Sequence, residues 1–205
     1  MSRVLTGRAL DPHINSQSLR GMFHLRHRVF FEQLGWEVRS RNGQERDGFD
    51  DLDPVYMLTG GQKGAVEGCW RLLPTTGDYM LEKIFPQLAR GAEIPKDESI
   101  WEISRFAVLP SGSASRQQAN LCSLTFDLLR AGVDFADRNG IRHYVFVTSV
   151  AVERLLKRVG LPLRRFGDGQ AVRVGKVLSV ACWIDIDDHT RQAVCGANAP
   201  AREAA

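Results

Sequence analysis

Apolar positions near the start of the chain repeat at the spacing of one helix face, and this pattern predicts a helix over about residues 16–33. The apolar positions are Leu19, Met22, Phe23, Val29 and Phe30. Similar patterns predict helices over 79–89, along a long segment that ends near 137–140, and over about 152–159. A glycine follows each of the last two patterns, which is typical of helix C-termini.

Runs of apolar and β-branched residues between these helices predict strands. The predicted strands cover 55–59, 65–73, 100–109, 142–148 and 171–184. The segment 38–54 is polar, acidic and glycine-containing, which predicts a loop. Strands followed by alternating helices and strands favour the α/β class, as a single three-layer α/β/α domain with a mixed sheet. We expect this domain to cover 1–195 and residues 196–205 to form a disordered tail.

The composition is that of an ordinary globular protein, with 43% hydrophobic and 25% charged residues among 205. The net charge of +3 and the absence of a nucleic-acid-binding motif argue against a nucleic-acid partner. Because no apolar run reaches the roughly 20 residues of a membrane span, and the N-terminus lacks a signal-peptide core, we expect a cytoplasmic protein without a membrane partner. The four cysteines form no C-x-x-C pair and the five histidines show no ligand spacing, so we expect no metal.

Several charged residues stand inside otherwise apolar elements, where they are costly unless paired. These residues are Arg26 on the first helix and Arg71, Glu102 and Arg105 in strands. Together with Asp47 and Asp50 of the acidic segment they could form one buried network with three charges of each sign. Purely structural pairing and a solvated acidic loop are the alternatives. Because side chains alternate along a strand, Glu102 and Arg105 should point to opposite faces unless a bulge intervenes.

An ordered set of short motifs resembles the acyl-homoserine-lactone synthases of bacterial quorum sensing. The motifs are R-x-x-x-F at Arg26 and Phe30, L-G-W at Leu34–Trp36, D-x-x-D at Asp47 and Asp50, Arg71 in a strand, and E-x-S-R-F at Glu102–Phe106. Each motif is short, but their order and spacing over 19–166 are typical of this family of autoinducer synthases. The segments 71–76 and 147–161 also look typical of it.

The resemblance implies a fold similar to that of the N-acetyltransferases. It also implies an acyltransferase that acylates the amine of S-adenosylmethionine (SAM) and closes a lactone, with methylthioadenosine as the leaving group. SAM is then a substrate, and no tightly bound cofactor is expected. The amine must be neutral to attack a thioester, so a nearby carboxylate is useful as a base. Ring closure mainly requires the chain to be folded into position.

The resemblance also implies roles for particular residues. We assign catalysis to Glu102, Arg105, Asp47 and Asp50. We assign SAM binding to Arg26, Phe30, Trp36, Arg71 and Phe106. Glu102 is the preferred general base, although an ion-pairing role for it stays open, and Asp47 and Asp50 could instead order the N-terminal segment.

The sequence says less about which residues contact the acyl chain and which molecule donates it. We assign acyl-chain contacts to Thr148, Phe146 and Ser104, and Thr148 suggests a 3-oxo or 3-hydroxy chain unless it is only a β-branched strand residue. The segment Arg116–Leu121 departs from the coenzyme A pyrophosphate loop of the acetyltransferases, which favours an acyl carrier protein as donor. We expect Arg154, Lys157 and Arg158 to dock that acidic carrier, unless they form a solvated helix face.

Two alternatives stay open at this stage. The chain could be an N-acetyltransferase that uses acetyl-coenzyme A, although the altered 116–121 segment and the Arg26–Trp36 motifs argue against it. It could also be a non-catalytic module of the same fold, in which the charged network is structural.

Overall fold

The computed structural model describes residues 4–60, 65–111 and 114–196, and their side chains except those of 114–122 and 196. The helices are α1 Ser16–Arg26, α2 Met80–Lys83, α3 Ala114–Asn139, α4 Val150–Arg158 and α5 Asp188–Gly196. The strands are β1 Val4–Gly7, β2 Ser40–Arg41, β3 Gln44–Glu45, β4 Val55–Gly60, β5 Val66–Pro74, β6 Ile100–Val108, β7 His143–Ser149, β8 Leu163–Arg165, β9 Val172–Val174 and β10 Val177–Asp185. No helix in these ranges is both long and apolar enough to cross a bilayer.

Three predicted elements are divided in the structure. The predicted helix 16–33 is α1 followed by a π-helix over His27–Gln33. The predicted helix 79–89 is α2 and a separate 3₁₀ turn at Pro86–Ala89, because proline has no N–H to continue a helix. The predicted strand 171–184 is a hairpin of β9 and β10 that turns through Gly175, whose φ is +57°.

Most of the strands belong to one large sheet, and the predicted α/β class is confirmed. Its order runs β1-β4-β5-β6 in the first half of the sheet and β7-β10-β8 in the second, with β9 also paired to β10. The pairs β1–β4, β4–β5, β7–β10 and β10–β8 are antiparallel. The short hairpin β2–β3 is a separate two-stranded sheet, inside the segment for which the sequence predicted a loop.

The chain divides into two compact units. The first unit comprises 1–73 and 103–132, and the second comprises 74–102 and 133–205. In the first unit, one face of α1 and its π-helical continuation packs against β4 and β5. The core there consists of Ile14, Met22, Leu25, Phe30, Tyr56, Leu58, Cys69 and Ala107. Asn15 caps α1 by accepting a hydrogen bond from the N–H of Ser18 at 2.8 Å, so the helix begins where the apolar pattern begins.

In the second unit, β10 pairs with the whole length of β7, from Ser149 opposite Ser179 to His143 opposite Asp185. Their central side chains are buried, as expected for strands that are covered on both faces. Helix α4 follows β7 directly, and its first turn is capped by the hydroxyl of Ser149, which accepts from the N–H of Val152 at 3.2 Å.

Candidate active site

Six charged side chains of the first unit form a closed ring in which cations and anions alternate. They are Arg26 at the end of α1, Glu45 on β3, Asp47 and Asp50 in the turn after β3, Arg71 on β5 and Arg105 on β6. Each guanidinium contacts at least two of the carboxylates, and each carboxylate contacts at least two of the guanidiniums. Three charges of each sign cancel, which lowers the cost of burying them.

Arg26 is the most completely enclosed member of the ring. Its two terminal nitrogens donate to the two oxygens of Asp50 at 2.8 and 2.9 Å, and its Nε donates to Glu45 at 2.5 Å. The side chain of Arg26 has no exposed surface. The bidentate geometry fixes the orientation of the guanidinium as well as its charge.

Arg71 and Arg105 complete the ring from adjacent strands. One terminal nitrogen of Arg71 lies 2.5 Å from Asp47 and 3.0 Å from Asp50, and its Nε donates to the hydroxyl of Ser104 at 3.1 Å. A terminal nitrogen of Arg105 lies 2.6 Å from Asp47 and 3.1 Å from Glu45. Ser104, to which the sequence assigned an acyl-chain contact, therefore lies against a ring guanidinium.

The D-x-x-D motif is itself a local structure. Asp47 and Asp50 cap the 3₁₀ turn Gly48–Asp51 reciprocally: Asp47 accepts from the N–H of Phe49 at 2.9 Å, and Asp50 accepts from the N–H of Asp47 at 2.9 Å. Both carboxylates are thus held by backbone donors as well as by the arginines. The hydroxyl of Tyr56 adds a further hydrogen bond to Asp50 at 3.0 Å.

Arg105 occupies an unusual backbone position. Its φ is +55°, the left-handed region, inside a strand. Non-glycine residues pay about 1–2 kcal/mol for this conformation. The alternation of side chains that predicted opposite directions for Glu102 and Arg105 requires regular extended backbone, so it does not apply across Arg105.

The ring favours the charged forms of Asp50 and Arg26. Burial would raise the pKa of Asp50, but the hydrogen bonds and charge of Arg26 and the charge of Arg71 hold the pKa of that carboxyl well below its ordinary value. Burial would lower the pKa of Arg26. The hydrogen bonds and negative charges of Asp50 and Glu45 raise it by more, so the pKa of Arg26 lies above its ordinary value. Burial and the neighbouring Asp50 raise the pKa of the Tyr56 hydroxyl.

Exposure is confined to one edge of the ring. The side chains of Asp47 and Arg105 are 16% and 11% exposed, whereas those of the other four members have no exposed surface. A molecule that approaches the ring from solvent would therefore meet Asp47 and Arg105 first. Arg26 and Arg71, predicted as direct ligands, lie behind this edge.

Aromatic rings flank the exposed edge. Phe30 and Trp36 stack with centroids 5.1 Å apart, and the guanidinium of Arg105 lies 5.6 Å from the Phe30 centroid. Phe30 is buried, whereas Trp36 is 38% exposed. The third predicted aromatic, Phe106, packs at 6.2 Å against Trp70.

Glu102, the predicted base, lies on the part of β6 that belongs to the second unit. It is buried, and its two carboxylate oxygens accept hydrogen bonds from the N–H groups of Met80 and Leu81 at 2.9 and 2.7 Å.

The sequence predicted that Glu102 would be the third acid of the charged network. In the structure the third acid of the ring is Glu45. Glu45 is thus the ring member that sequence reasoning missed. Asn42-Gly43, a typical hairpin-turn dipeptide just before it, was the available signal.

The other predicted residues lie in the second unit. Phe146 and Thr148 are on β7, opposite Cys182 and Val180 of β10. Arg154, Lys157 and Arg158 are exposed on α4. Their side chains are not equivalent, because Lys157 donates to the buried carboxylate of Glu153 at 2.8 Å.

Glu153 also binds a second cation, since Arg165 donates to both of its oxygens at 2.8 and 2.6 Å. In the described part of the chain, neither Arg154 nor Arg158 has a carboxylate within ion-pair distance. Of the three cations predicted to dock a carrier, Arg154 and Arg158 are therefore the two without a carboxylate partner among the described residues, and Lys157 shares Glu153 with Arg165. The side chains of Arg116–Leu121, from which the sequence argued against a coenzyme A loop, lie outside the described residues.

No group of three or more histidine, cysteine or acidic side chains is arranged to hold a metal ion within residues 4–60, 65–111 and 114–196. The carboxylates of the ring contact guanidiniums instead.

The chain matches the family model described as autoinducer synthase over residues 12–194. A curated acyl-homoserine-lactone synthase of Aliivibrio fischeri is 40% identical over 181 residues, which cover 88% of this chain and 93% of that protein. The crystal structure of the acyl-homoserine-lactone synthase LasI is similar with a TM-score of 0.84 and 38% identity, over 96% of this chain and 95% of LasI.

A further solved structure is BjaI, a coenzyme A-dependent acyl-homoserine lactone synthase in complex with SAM and isopentyl-CoA. It is 28% identical, with a TM-score of 0.81, over 96% of this chain and 89% of BjaI. A putative N-acetyltransferase from Lactobacillus plantarum has a TM-score of 0.57 at 12% identity, over 90% of this chain and 98% of that protein. This last likeness concerns the fold alone, and it confirms the predicted similarity to the N-acetyltransferase fold.

Proposed function

Since this chain belongs to the autoinducer synthase family and is an acyltransferase of the acyl-homoserine-lactone synthase type, we propose that its two substrates are SAM and an acyl carrier protein thioester. The products are then an N-acyl-homoserine lactone and methylthioadenosine. The observation that carries the proposal is the neutral ring of three guanidiniums and three carboxylates with one exposed edge. The SAM complex of BjaI supports the choice of SAM.

The exposed edge suits the zwitterionic end of SAM. Arg105 would bind the substrate carboxylate, and Asp47 would attract the ammonium or sulfonium charge. The stacked pair of Phe30 and Trp36 would form the wall beside them, where aromatic faces also favour a cation. Arg26 and Arg71, which are fully buried, would hold the two acids of the turn in place.

The chemistry requires one proton transfer and two displacements. The neutral amine attacks the thioester carbonyl, a nearby base takes the amine proton, and the carrier thiolate leaves. The substrate carboxylate then attacks its own γ-carbon, and the bond to the sulfonium breaks to release methylthioadenosine. The second step needs no acid or base, because the leaving group departs neutral.

We assign the base role to Glu102, whose carboxylate is oriented by two backbone N–H groups. Glu102→Gln should lower kcat by about 10²–10⁴-fold, because proton removal from the amine is then uncatalysed. Release of methylthioadenosine over a range of pH measures this. The exposed Glu98→Gln is the matched control. A Glu102→Gln enzyme with normal turnover and a normal pH profile would remove the assignment.

For the acyl donor we favour an acyl carrier protein. Carrier proteins are acidic, and Arg154 and Arg158 are exposed on α4 without a carboxylate partner among the described residues. Thr148 and Phe146 on β7 remain our proposed contacts for the acyl chain. BjaI, which is coenzyme A-dependent, shows that the alternative donor must be tested beside the carrier.

Charge reversal at Arg154 and Arg158 tests whether these two arginines dock the carrier protein. Arg154→Glu with Arg158→Glu should raise KM for the acyl-carrier substrate about tenfold, with KM for SAM unchanged, because long-range attraction to the carrier is lost. Lys157→Gln is the control, since that lysine is held by an internal partner, Glu153. An unchanged KM for the carrier in the double variant would place docking elsewhere.

The whole proposal is tested by one incubation. The enzyme is mixed with SAM and either octanoyl-carrier protein or octanoyl-coenzyme A, and methylthioadenosine and a lipophilic lactone are sought by mass spectrometry. We expect both products with the carrier substrate. Products only with the coenzyme A substrate would overturn the donor, and absence of methylthioadenosine with either would overturn the reaction.

A further inference from the structure

The β2–β3 hairpin is short, but it supplies one member of the charged ring, Glu45. It has two residues in each strand and pairs with no other sheet among the described strands. An isolated two-stranded hairpin is at best marginally stable in water. The Glu45 side chain of this hairpin is nevertheless fully buried, and it forms ion pairs with both Arg26 and Arg105. The position of the Glu45 carboxylate therefore depends on what holds the hairpin in place.

Two histidines of the first helical segment hold it at two points. Nδ1 of His24 lies 2.7 Å from the carbonyl oxygen of Gly43 at the turn, and Nδ1 of His27 lies 2.6 Å from the hydroxyl of Ser40 in β2. The Ser40 hydroxyl donates its one proton to the carbonyl of Gln44 at 3.1 Å, so it accepts from His27. A carbonyl oxygen only accepts, so His24 also donates from Nδ1.

The His27 ring is fixed on its other sides as well. It stacks on Phe31 with centroids 5.1 Å apart, and its Nε2 lies 3.1 Å from the carboxylate of Glu32. A ring held in this way directs its Nδ1–H toward Ser40 alone.

We propose that His24 and His27 are positioning residues for Glu45, and through Glu45 for the guanidinium of Arg105 at the exposed edge of the ring. They touch no reacting group; they hold the hairpin whose carboxylate aligns Arg105. The expected effect on SAM binding rests on the proposed function. The effect on the hairpin itself does not.

The experiment compares asparagine and glutamine at each histidine. The amide nitrogen of asparagine can take the place of Nδ1, whereas that of glutamine reaches toward the place of Nε2. We expect His24→Gln and His27→Gln to raise KM for SAM about fivefold each, the value of one lost hydrogen bond, with kcat nearly unchanged. We expect His24→Asn and His27→Asn to stay near the wild-type KM.

The matched control is His13→Ala. His13 also contacts a backbone carbonyl, that of Thr6 at 2.7 Å, but it precedes α1 and does not contact the hairpin. Hydrogen exchange of the amides of 39–46, where Arg46 donates to the carbonyl of Arg39 at 3.3 Å, gives a readout that needs no substrate. Exchange there should accelerate in the glutamine variants and not in the asparagine or His13 variants.

The possible outcomes distinguish a failure of the proposed function from a failure of the positioning role of His24 and His27. If the wild-type enzyme releases no methylthioadenosine, the proposed function fails, and the exchange measurement still decides whether the histidines hold the hairpin. Unchanged exchange in the glutamine variants would overturn the inference. Faster exchange with an unchanged KM would also overturn it, because the histidines would then be structural alone.

Discussion

At the scale of the residue, burial of charge is what marks the site. Arg26 and Arg71 could be predicted because a guanidinium inside an apolar helix face or strand is conspicuous. Glu45 could not be found in the same way, because it stands in a polar segment where a carboxylate is unremarkable. Only the hairpin turn before it and the fold together place it against Arg26 and Arg105.

Glu45→Gln should lower the free energy of unfolding by about 3–5 kcal/mol, because two buried guanidiniums lose a shared counter-charge. Urea denaturation followed by tryptophan fluorescence measures this loss. The exposed Glu37→Gln, eight positions earlier, serves as control and should cost less than about 0.5 kcal/mol. A loss of the same small size at Glu45 would mean that the ring tolerates an uncompensated cation.

At the scale of the element, the sequence located most of the long elements and missed the shortest ones. The helices α1, α3 and α4 follow from hydrophobic periodicity, and the strands β4 to β7 follow from runs of apolar and β-branched residues. The strands β1 and β8 have only four and three residues, which is too few to show a recognisable pattern of apolar positions. The sequence analysis also missed helix α5. The segment 27–33 has a helical pattern that does not distinguish an α-helix from a π-helix.

The pairing of α4 with β8 makes stability depend on pH. The hydrogen bonds from Arg165 lower the pKa of Glu153 from 4.5 to about 2, although burial opposes this, and Lys157 acts in the same direction as Arg165. The unfolded chain therefore takes up this proton first as the pH falls. The contribution of Glu153 to stability is complete above about pH 5 and is lost progressively as the pH falls toward 2.

Glu153→Gln should therefore be less stable than the wild type near pH 6, and the difference should shrink progressively as the pH falls to 3. Urea denaturation at several pH values between about 6 and 3 measures the difference in free energy of unfolding. Asp168→Asn is a useful comparison, because the hydrogen bond from Arg90 also lowers the pKa of Asp168 to about 2, but at an exposed position. Parallel curves for Glu153→Gln and the wild type would contradict the assignment.

At the scale of the whole molecule, the fold class and the reaction type were predictable, and the donor was not. The motifs that carry the family resemblance lie at fixed spacings, and the match over 12–194 bears them out. In our proposal, the choice of donor depends on which exposed cations of α4 pair within the chain and which are left to contact a carrier. That partition is a property of the folded chain, as Lys157 and its contact with Glu153 illustrate.

Salt should act on the carrier substrate more than on SAM. Between about 50 and 500 mM NaCl we expect kcat/KM for the acyl-carrier substrate to fall about three- to tenfold, because the attraction between exposed charges is screened. The KM for SAM should change less. Steady-state release of methylthioadenosine at each salt concentration measures both. A salt response that persists in the Arg154→Glu, Arg158→Glu variant would assign the attraction to another surface.

The π-helix after α1 leaves room for a change of length that an α-helix would not absorb. Its i to i−5 hydrogen bond, from the N–H of Leu34 to the carbonyl of Val29 at 3.0 Å, encloses one residue more than an α-helical turn. Deletion of a single residue within 27–33 would convert the segment to α-helix without unfolding it, and would leave the chain beyond Gln33 close to its present direction, because a π-helix holds one residue more than an α-helix of the same number of turns. The same deletion within α1 would rotate the chain that follows by about 100°. A difference of one residue in length is therefore tolerated better after Arg26 than within α1, where it would turn the buried ring of Phe30 out of the core.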